Sequence, residues 1–241
     1  MKILAIDTAT EACSAALYVD GEAHRDNNNI TSRFQLAPRE HSRLILKMVD
    51  ELLVQAEVPV SDLDAIAFGQ GPGSFMGLRI AAGVVQGIAF AHDLPVIPVS
   101  TLKATAQRAF EDTGSQYVLA AIDARMDEVY WAAYYLKEQR WHLHGEESVI
   151  SPDNISLPEI QSQPAEPWAG AGTGWASYRD RLLKAANCQL STILPDCFPS
   201  AEVIVKLAVD EFKSGNTVSA AEAVPVYIRN DVAKKPKPVV L

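Results

Sequence analysis

The sequence predicts an α/β protein of two lobes, each a mixed β-sheet with covering helices. Apolar strand patterns alternate with amphipathic helix patterns through the first half of the chain. The second half opens with "YVLAAIDAR" and "EVYWAAYYL", two apolar strands around a polar turn, as "KILAID" and "CSAALYV" open the first. At 241 residues and 48% hydrophobic, the chain can bury a core in each lobe. We place the lobes at residues 1–115 and 116–241.

The first lobe begins with the strands "KILAID" and "CSAALYV", and Asp20-Gly21 follows as a turn that favours positive φ. In "HSRLILKMVDELLVQA" apolar residues recur at helical spacing, which predicts a helix with one buried face. The strand "LDAIAFG" precedes a glycine-rich turn and the apolar helix "GLRIAAGVVQGIAFAHD". The strand "PVIPV" and the helix "STLKATAQRAFE" complete the lobe. This order predicts a sheet that starts antiparallel and continues through crossovers.

The second lobe continues with a strand in "PWAGAG", the turn "GTG" and the amphipathic segment "WASYRDRLLKAA". A helix in "SAEVIVKLAVDEFKSG" is expected to end at Gly215, because glycine accepts the left-handed conformation that closes many helices. Residues 145–166 are rich in Ser, Pro, Gln and Asn, and we predict no regular structure there.

The net charge of −9 argues against tight binding of tRNA or DNA by the chain alone, because such binding depends on Lys and Arg neutralising phosphates. The basic residues that do cluster lie in a proline-punctuated tail, which we interpret as a solvated terminus: Arg229, Lys234, Lys235 and Lys237. The amino terminus and "IAAGVVQGIAFA" are too short to span a bilayer, so we expect a cytoplasmic protein without a membrane partner. Cys13, Cys188 and Cys197 are widely spaced, which favours isolated thiols over a disulfide framework or zinc site.

Three turns have the composition of phosphate-binding loops. Asp7-Thr8-Ala9-Thr10 ends the first strand, where a carboxylate, hydroxyls and backbone N–H groups can hold a metal and a phosphate; a capped turn explains it equally well. "GQGPGSFMG" precedes a helix, but it lacks the lysine of a P-loop, and Met76 replaces the third glycine of G-x-G-x-x-G. The third turn is "GAGTG". A vestigial nucleotide-binding site is therefore predicted from Asp7, Thr8, Thr10, Gly71, Gly73, Ser74, Gly172 and Gly174.

Signatures of hydrolytic chemistry are missing, and we assign no catalytic residue and no metal ligand. Ser74 does not stand in a G-x-S-x-G elbow. His142 and His144 alternate on one strand face and are interpreted as surface residues. A charged cluster at the first turn of the second lobe favours an ion-paired rim over an active-site edge: Asp123, Arg125, Asp127 and Glu128.

"ILAIDTAT", "GQGPGSFMGLR", "IDARMDEVY" and "PVYIRN" resemble, in the same order, motifs of the bacterial TsaB (YeaZ) family. The resemblance implies the two-lobed fold of the actin, sugar-kinase and chaperone-ATPase (ASKHA) superfamily. It also implies a non-catalytic scaffold that works with a TsaD-type catalytic subunit and a TsaE-type ATPase. These proteins attach a threonylcarbamoyl group, from threonylcarbamoyl-adenylate, to N6 of the adenosine 3′ of the anticodon in tRNAs that read codons beginning with A. tRNA would then be reached only through the complex.

The same resemblance bears on cofactors. The catalytic relative carries an H-x-x-x-H metal pair where this chain has Thr101 and Thr105, and neutral hydroxyls are poor ligands for a transition metal. Met76 replaces the threonine usual in the family, which weakens a phosphate contact from the glycine-rich turn. The expectation is that no firm cofactor is bound and that any affinity for ATP or ADP with magnesium is weak or vestigial.

The helix at residues 77–92 is apolar around much of its circumference, which predicts a second contact surface besides its own sheet. Gly83 and Gly87, one turn apart, leave a flat strip for a close helix approach. The alternative is that both glycines fit against the helix at 41–56 within the lobe. The resemblance implies an interface used for homodimers of the isolated chain and for the catalytic subunit, and we assign to it Leu44, Met48, Leu52, Ile80, Gly83, Val84, Gly87 and Ile88.

Two other functions remain open from the sequence. An active ATPase or small-molecule kinase would need a working metal carboxylate at Asp7 and strong nucleotide affinity. A protease is the weaker alternative, because no nucleophile and base pair is visible.

Overall fold

The computed structural model describes residues 1–21, 29–157 and 167–229. The strands are β1 (Lys2–Asp7), β2 (Ala12–Val19), β3 (Ile30–Leu36), β4 (Ala65–Gly71), β5 (Val96–Ser100), β6 (Tyr117–Arg125), β7 (Glu128–Lys137), β8 (Arg140–Ile150), β9 (Trp168–Ala171) and β10 (Leu190–Leu194). The helices are α1 (His41–Ala56), α2 (Phe75–His92), α3 (Thr101–Thr113), α4 (Thr173–Ala186) and α5 (Ala201–Lys213). Two short 3₁₀ helices cover Val60–Asp62 and Ala220–Glu222.

The strands form two five-stranded sheets of the same topology. The first sheet has the order β3-β2-β1-β4-β5, and the second has the order β8-β7-β6-β9-β10. In each sheet the first three strands are antiparallel and the last two are parallel. The structure therefore confirms the predicted α/β fold class, with two lobes of repeated design.

Two strands were not predicted, and one runs further than expected. β3 is an edge strand with the polar sequence "ITSRFQL", so it lacks the apolar pattern that marks buried strands. β10 has only five residues and also lies at an edge. β8 continues to Ile150, although no regular structure was predicted from residue 145 onward. Residues 158–166 of that region lie outside the described part of the chain.

The helices cover both faces of each sheet, and two of them pack across the lobe boundary expected at residue 115. α1 and α2 share a core with one face of the first sheet, while α5 covers the other face. α3 and α4 cover opposite faces of the second sheet. Thus α3, which follows the first sheet in sequence, packs on the second, and α5 returns to the first. This exchange joins the two lobes through buried apolar contacts.

Serine residues start three of the five helices. The side chains of Ser74, Ser100 and Ser200 each accept a hydrogen bond from the backbone N–H three residues later, at the starts of α2, α3 and α5. Such caps satisfy one of the free N–H groups of a first helical turn. Gly215 has a φ of +75° just after α5, as predicted for the residue that ends this helix.

Candidate functional site

The glycine-rich turn packs directly on the turn that follows β1. The Thr8 hydroxyl donates to the Gly77 carbonyl oxygen at 2.6 Å, and the Ser74 N–H donates to the Ala9 carbonyl oxygen at 2.7 Å. A β-carbon on Gly73 would overlap the Ala9 carbonyl oxygen, and one on Gly77 would overlap the Thr8 carbonyl oxygen. These glycines are therefore required for close contact between the backbones of the two turns.

Asp7 is sealed inside the first lobe. Its carboxyl group occupies the space left by the missing side chain of Gly69, and Ile204 of α5 lies against the same position. The residue is fully buried, and neither carboxyl oxygen has a hydrogen-bond partner in the described part of the chain. Burial raises the pKa of Asp7 to about 7, although the nearby Ala9 backbone N–H opposes the shift. Asp7 is therefore a fully buried acid without a hydrogen-bond partner among the described residues.

The glycines of the other predicted turns also serve close packing. A β-carbon on Gly71, which has a φ of +117°, would lie 2.7 Å from the Val226 carbonyl oxygen. Gly172, with a φ of +108°, approaches the Ala121 carbonyl oxygen, and a β-carbon on Gly174 would lie 2.9 Å from the Ala121 side chain. Together with the sealed carboxyl of Asp7, this packing does not fit a nucleotide with magnesium at these turns.

Of the eight residues predicted for a vestigial nucleotide site, Thr10, Gly73 and Ser74 line a cleft of about 610 Å³ between the lobes. Asp7, Thr8, Gly71, Gly172 and Gly174 do not line it. The Thr10 hydroxyl is committed, since it accepts a hydrogen bond from the Ala12 N–H at 3.2 Å. Ser74 caps α2, as described above. The structure therefore brings only part of the predicted set to one cavity.

Side chains from the two lobes meet across this cleft. Arg125 donates to a carboxylate oxygen of Glu11 at 2.6 Å, and the Tyr130 hydroxyl donates to the Gly73 carbonyl oxygen at 3.4 Å. His41 and Ser74 both line the cleft, but the His41 Nε2 is hydrogen-bonded to the Ala12 carbonyl oxygen. Both side chains are thus tied to the backbone, and the cleft offers no prepared nucleophile and base pair.

Thr101 and Thr105 lie in the first turns of α3, one helical turn apart and fully buried. The Thr105 hydroxyl donates to the Thr101 carbonyl oxygen at 2.9 Å. The Thr101 hydroxyl oxygen has no hydrogen-bond partner among the described residues. The i, i+4 spacing implied by the resemblance is therefore present on a helix, but its side chains face the protein interior.

The charged cluster of the second lobe forms ion pairs, as interpreted from the sequence. Arg125 pairs with Asp123 at 3.1 Å, Asp127 pairs with Arg181, and Glu128 pairs with Arg229. Two of these pairs connect the β6–β7 hairpin to α4 and to Arg229, and the more exposed pairs of the cluster contribute little to stability.

Residues 224–229, which we call the carboxyl-terminal strap, were not predicted to take part in the site. The Val226 N–H donates to the Gln70 carbonyl oxygen at 2.8 Å, and the Tyr227 ring lies 5.4 Å from the Phe75 ring. Arg79 donates to the Tyr227 hydroxyl at 3.0 Å and stacks over Phe75 at 3.8 Å. The strap therefore runs along the cleft from the glycine-rich turn toward the β6–β7 hairpin.

Interpreting Arg229 as part of a solvated tail was wrong. Its side chain is only 14% exposed and is paired with Glu128. The sequence held little signal for this, because Val224, Val226 and Tyr227 are themselves 40–55% exposed and the segment is held by long-range contacts with Gln70, Phe75 and Arg79. The tail lysines 234, 235 and 237 lie outside the described residues.

The predicted interface residues fall into two groups. Gly83 and Gly87 are exposed, and a β-carbon on either would meet nothing within 4 Å. The alternative that these glycines fit against α1 is therefore wrong. They lie in a strip of α2 with Ile80 and Val84, which are partly exposed, and this strip ends in Met76 and Phe90, 61% and 85% exposed. Ile88 is partly exposed beside the strip.

Leu44, Met48 and Leu52 belong to the second group. They are at most 8% exposed and lie in the core beneath α1, so they support the surface and do not form it. Their helical periodicity marked the buried face of α1, which the sequence pattern cannot distinguish from a face that binds a partner.

α2 is also long and apolar enough to cross a membrane by length and composition. One face, however, is built into the core of the lobe: Leu78, Ala81, Val85 and Ala89 are at most 1% exposed. The apolar residues of α2 therefore lie on two faces, one packed in the core and one in the exposed strip.

The comparisons with known proteins agree with this architecture. The family model described as "TsaD: tRNA N6-adenosine threonylcarbamoyltransferase" matches residues 29–237. The chain is 43% identical over 242 residues to the tRNA threonylcarbamoyladenosine biosynthesis protein TsaB of Escherichia coli (strain K12), covering 99% of both chains. It is 41% identical to the protein of the same name from Haemophilus influenzae, covering 99% of this chain and 98% of that one. The solved structure of YeaZ from Pseudomonas aeruginosa shares 44% identity, with a TM-score of 0.84 over 94% of this chain and 99% of that one.

The sheets and cleft define a two-lobed α/β protein of repeated topology whose glycine-rich turn packs on the turn after β1. The chain belongs to the TsaB (YeaZ) family, which confirms the resemblance seen in its motifs.

Proposed function

We propose that this chain is the non-catalytic accessory subunit for formation of N6-threonylcarbamoyladenosine, at the adenosine 3′ of the anticodon of tRNA. In this role it supports a TsaD-type catalytic subunit together with a TsaE-type ATPase. The names of its relatives support the pathway. The accessory role is argued from the geometry of the chain itself.

The observation that carries the proposal is the contrast between the glycines of α2. Gly77, at the start of the helix, packs against the Thr8 backbone inside the lobe. Gly83 and Gly87, in the middle, face open space within an apolar strip. An exposed apolar strip of this kind supports binding of another protein there, because paired glycines let a helix approach closely.

The same strip would serve two partners. In the isolated chain it would pair with a second copy, and in the assembled complex it would pair with the TsaD-type subunit. A single surface cannot be covered twice, so homodimerisation and partner binding should compete. We place this assembly in the cytoplasm, without a membrane partner.

tRNA would reach the chain only through the complex. With 30 acidic and 21 basic residues, the isolated chain repels a phosphate backbone at long range. Binding by the isolated protein should therefore be weak, and binding by the complex should depend on the charges of all subunits.

Reconstitution with single omissions tests the proposal. Threonylcarbamoyl incorporation into an unmodified tRNA transcript is measured with the catalytic subunit, the ATPase and this chain, and then without each in turn. We expect no incorporation by this chain alone and loss of turnover when it is omitted. Turnover by this chain alone would overturn the proposal. Calorimetry of the isolated chain with ATP and magnesium tests the competing ATPase or kinase function. Strong binding would favour that alternative.

A further inference from the structure

The β7–β8 hairpin of the second sheet carries a face with an unusual set of side chains. Tyr135 pairs with His142 across the two strands, and Lys137 pairs with Arg140 at the tip. Two residues further from the tip along each strand, His144 pairs with Ala133. Because side chains alternate between faces along a strand, these cross-strand pairs share one face of the hairpin.

The aromatic groups on this face are in contact. The Tyr135 ring stacks on the His142 ring with centroids 5.2 Å apart and planes 20° apart, and it meets the His144 ring edge-on at 6.3 Å. His142 is exposed, while Tyr135 and His144 are half-buried. The stack therefore presents flat π surfaces at the edge of the protein rather than in its core.

The tip next to this stack is basic. Lys137 and Arg140 are exposed, and neither forms an ion pair with a described residue. Burial alone would raise the pKa of Glu211, but hydrogen bonds from Asn216 and Lys103 lower it, and the charge of Arg140 adds a smaller contribution in the same direction. Residues 137–140 at the tip carry two basic residues and one acidic residue, Glu138, in a chain with a net charge of −9, and Glu146 and Glu147 follow further along β8. The excess of positive charge is therefore confined to the tip.

The backbone holds this tip in a defined shape. Glu138 and Gln139 join the strands as a two-residue turn, with φ values of 50° and 61°. Positive φ at both positions is typical of the tight turns whose twist matches that of the flanking strands. On the opposite face Trp141 is buried and donates to the Gln107 side chain of α3 at 2.7 Å. The hairpin is therefore anchored on one face by Trp141, while on the other face His142 is exposed in the part of the chain that the structure describes.

We propose that the His142 face of the β7–β8 hairpin is a contact surface for RNA, with the Tyr135 and His142 rings stacking on an unpaired base and Lys137 and Arg140 meeting flanking phosphates. Stacking platforms beside positive side chains are the usual means of binding unpaired nucleotides. The inference rests on the proposed function, because the RNA would be the tRNA that the complex modifies. It names the part of this chain that touches that substrate.

Salt-dependent binding of unmodified tRNA to the assembled complex tests this surface. The double variant Lys137→Gln, Arg140→Gln should reduce the slope of log affinity against log salt by about 1.5, as expected for two lost phosphate contacts. Tyr135→Leu should weaken binding about fivefold or more with an unchanged slope, and Tyr135→Phe should restore it, because stacking needs the ring and not the hydroxyl. The matched control is Lys213→Gln, Arg179→Gln, which removes two exposed cations elsewhere and should leave the slope unchanged.

The outcomes separate this inference from the proposed function. If the complex binds and modifies tRNA but the hairpin variants behave like the control pair, the RNA surface is refuted and the accessory role stands. If the complex with the unaltered chain neither binds nor modifies tRNA, the proposed function itself fails.

Discussion

The Thr8 hydroxyl donates to the Gly77 carbonyl oxygen at 2.6 Å, and the Thr8 carbonyl oxygen lies where a β-carbon of residue 77 would be. The first strand and the glycine-rich helix are thus joined through their backbones. The glycine-rich turn has a composition that suits phosphate binding, but in this structure it forms an internal joint, that is, a packing contact between β1 and α2.

The first prediction concerns that joint. Gly77→Ala forces a β-carbon against the Thr8 carbonyl oxygen, and such overpacking typically costs about 1–3 kcal/mol. For a chain of this size we expect the melting temperature to fall by about 2–10 °C. The control is Arg179→Ala on α4, an exposed position outside the strip, which should leave the melting temperature nearly unchanged. Equal melting temperatures for the two variants would refute the account of Gly77.

The second prediction concerns Asp7 and pH. Its pKa in the folded protein, about 7, lies above the ordinary value of 3.8, so between these pH values the folded state holds a proton that the unfolded state has released. The free energy of unfolding should therefore fall as pH rises from about 4 to about 7, and stay lowered above that range. The fall in the free energy of unfolding should be on the order of 2–4 kcal/mol. It should be absent in Asp7→Asn, because an asparagine side chain cannot ionise.

Urea unfolding at pH 5 and pH 8 measures this effect. The free energy of unfolding of Asp7→Asn, relative to that of the unaltered chain, should be higher at pH 8 than at pH 5. Asp127→Asn is the control, since Asp127 is 67% exposed at the rim. If Asp7→Asn and the unaltered chain show the same pH dependence, Asp7 does not carry its proton in the folded state.

The third prediction concerns the exposed strip of α2. Gly87→Leu adds a side chain that the isolated chain has room for, but it would overpack a seam with another helix by about 1–3 kcal/mol, or roughly tenfold in affinity or more. We expect a folded monomer that no longer captures the TsaD-type subunit. Light scattering, thermal melting and a pull-down on one preparation check this, with Arg179→Leu on α4 as the control. A folded variant that still dimerises and still captures its partner would exclude this strip as the shared interface.

The fourth prediction concerns the carboxyl-terminal strap. Arg229 is 14% exposed and pairs with Glu128, whereas Arg125 is 69% exposed. Arg229→Gln removes the packing of a largely buried side chain together with its pairing to Glu128, whereas exposed ion pairs contribute little. Arg229→Gln should therefore lower the melting temperature more than Arg125→Gln and speed proteolysis of residues 224–229. The reverse order of the two variants would contradict the role given to the strap.

The sequence predicted the fold class well because the central strands of both sheets are apolar and the helices amphipathic. It missed β3 and β10, since edge strands need only one partner and can be polar or short. The exchange of α3 and α5 between the sheets could not be predicted, because an apolar helix face does not specify which sheet it covers.

At the site, glycine composition predicted which turns are special but not what they approach. Gly73 and Gly77 meet the backbone of residues 8 and 9, a long-range contact that no local pattern encodes. For α2, periodicity indicated two apolar surfaces, and only the structure showed which glycines are open. For α1, the same periodicity marked core residues, and Leu52 is fully buried.

The central claim is that the glycine-rich turns of this chain serve packing and that its proposed contribution to tRNA modification lies in the surface of α2. The most direct test is the initial rate of threonylcarbamoyl incorporation into tRNA by the reconstituted complex, comparing Asp7→Asn with Gly87→Leu. We predict a rate within about twofold of the unaltered complex for Asp7→Asn and a loss of about tenfold or more for Gly87→Leu. Loss of the rate with Asp7→Asn, together with a normal rate for Gly87→Leu, would contradict the account.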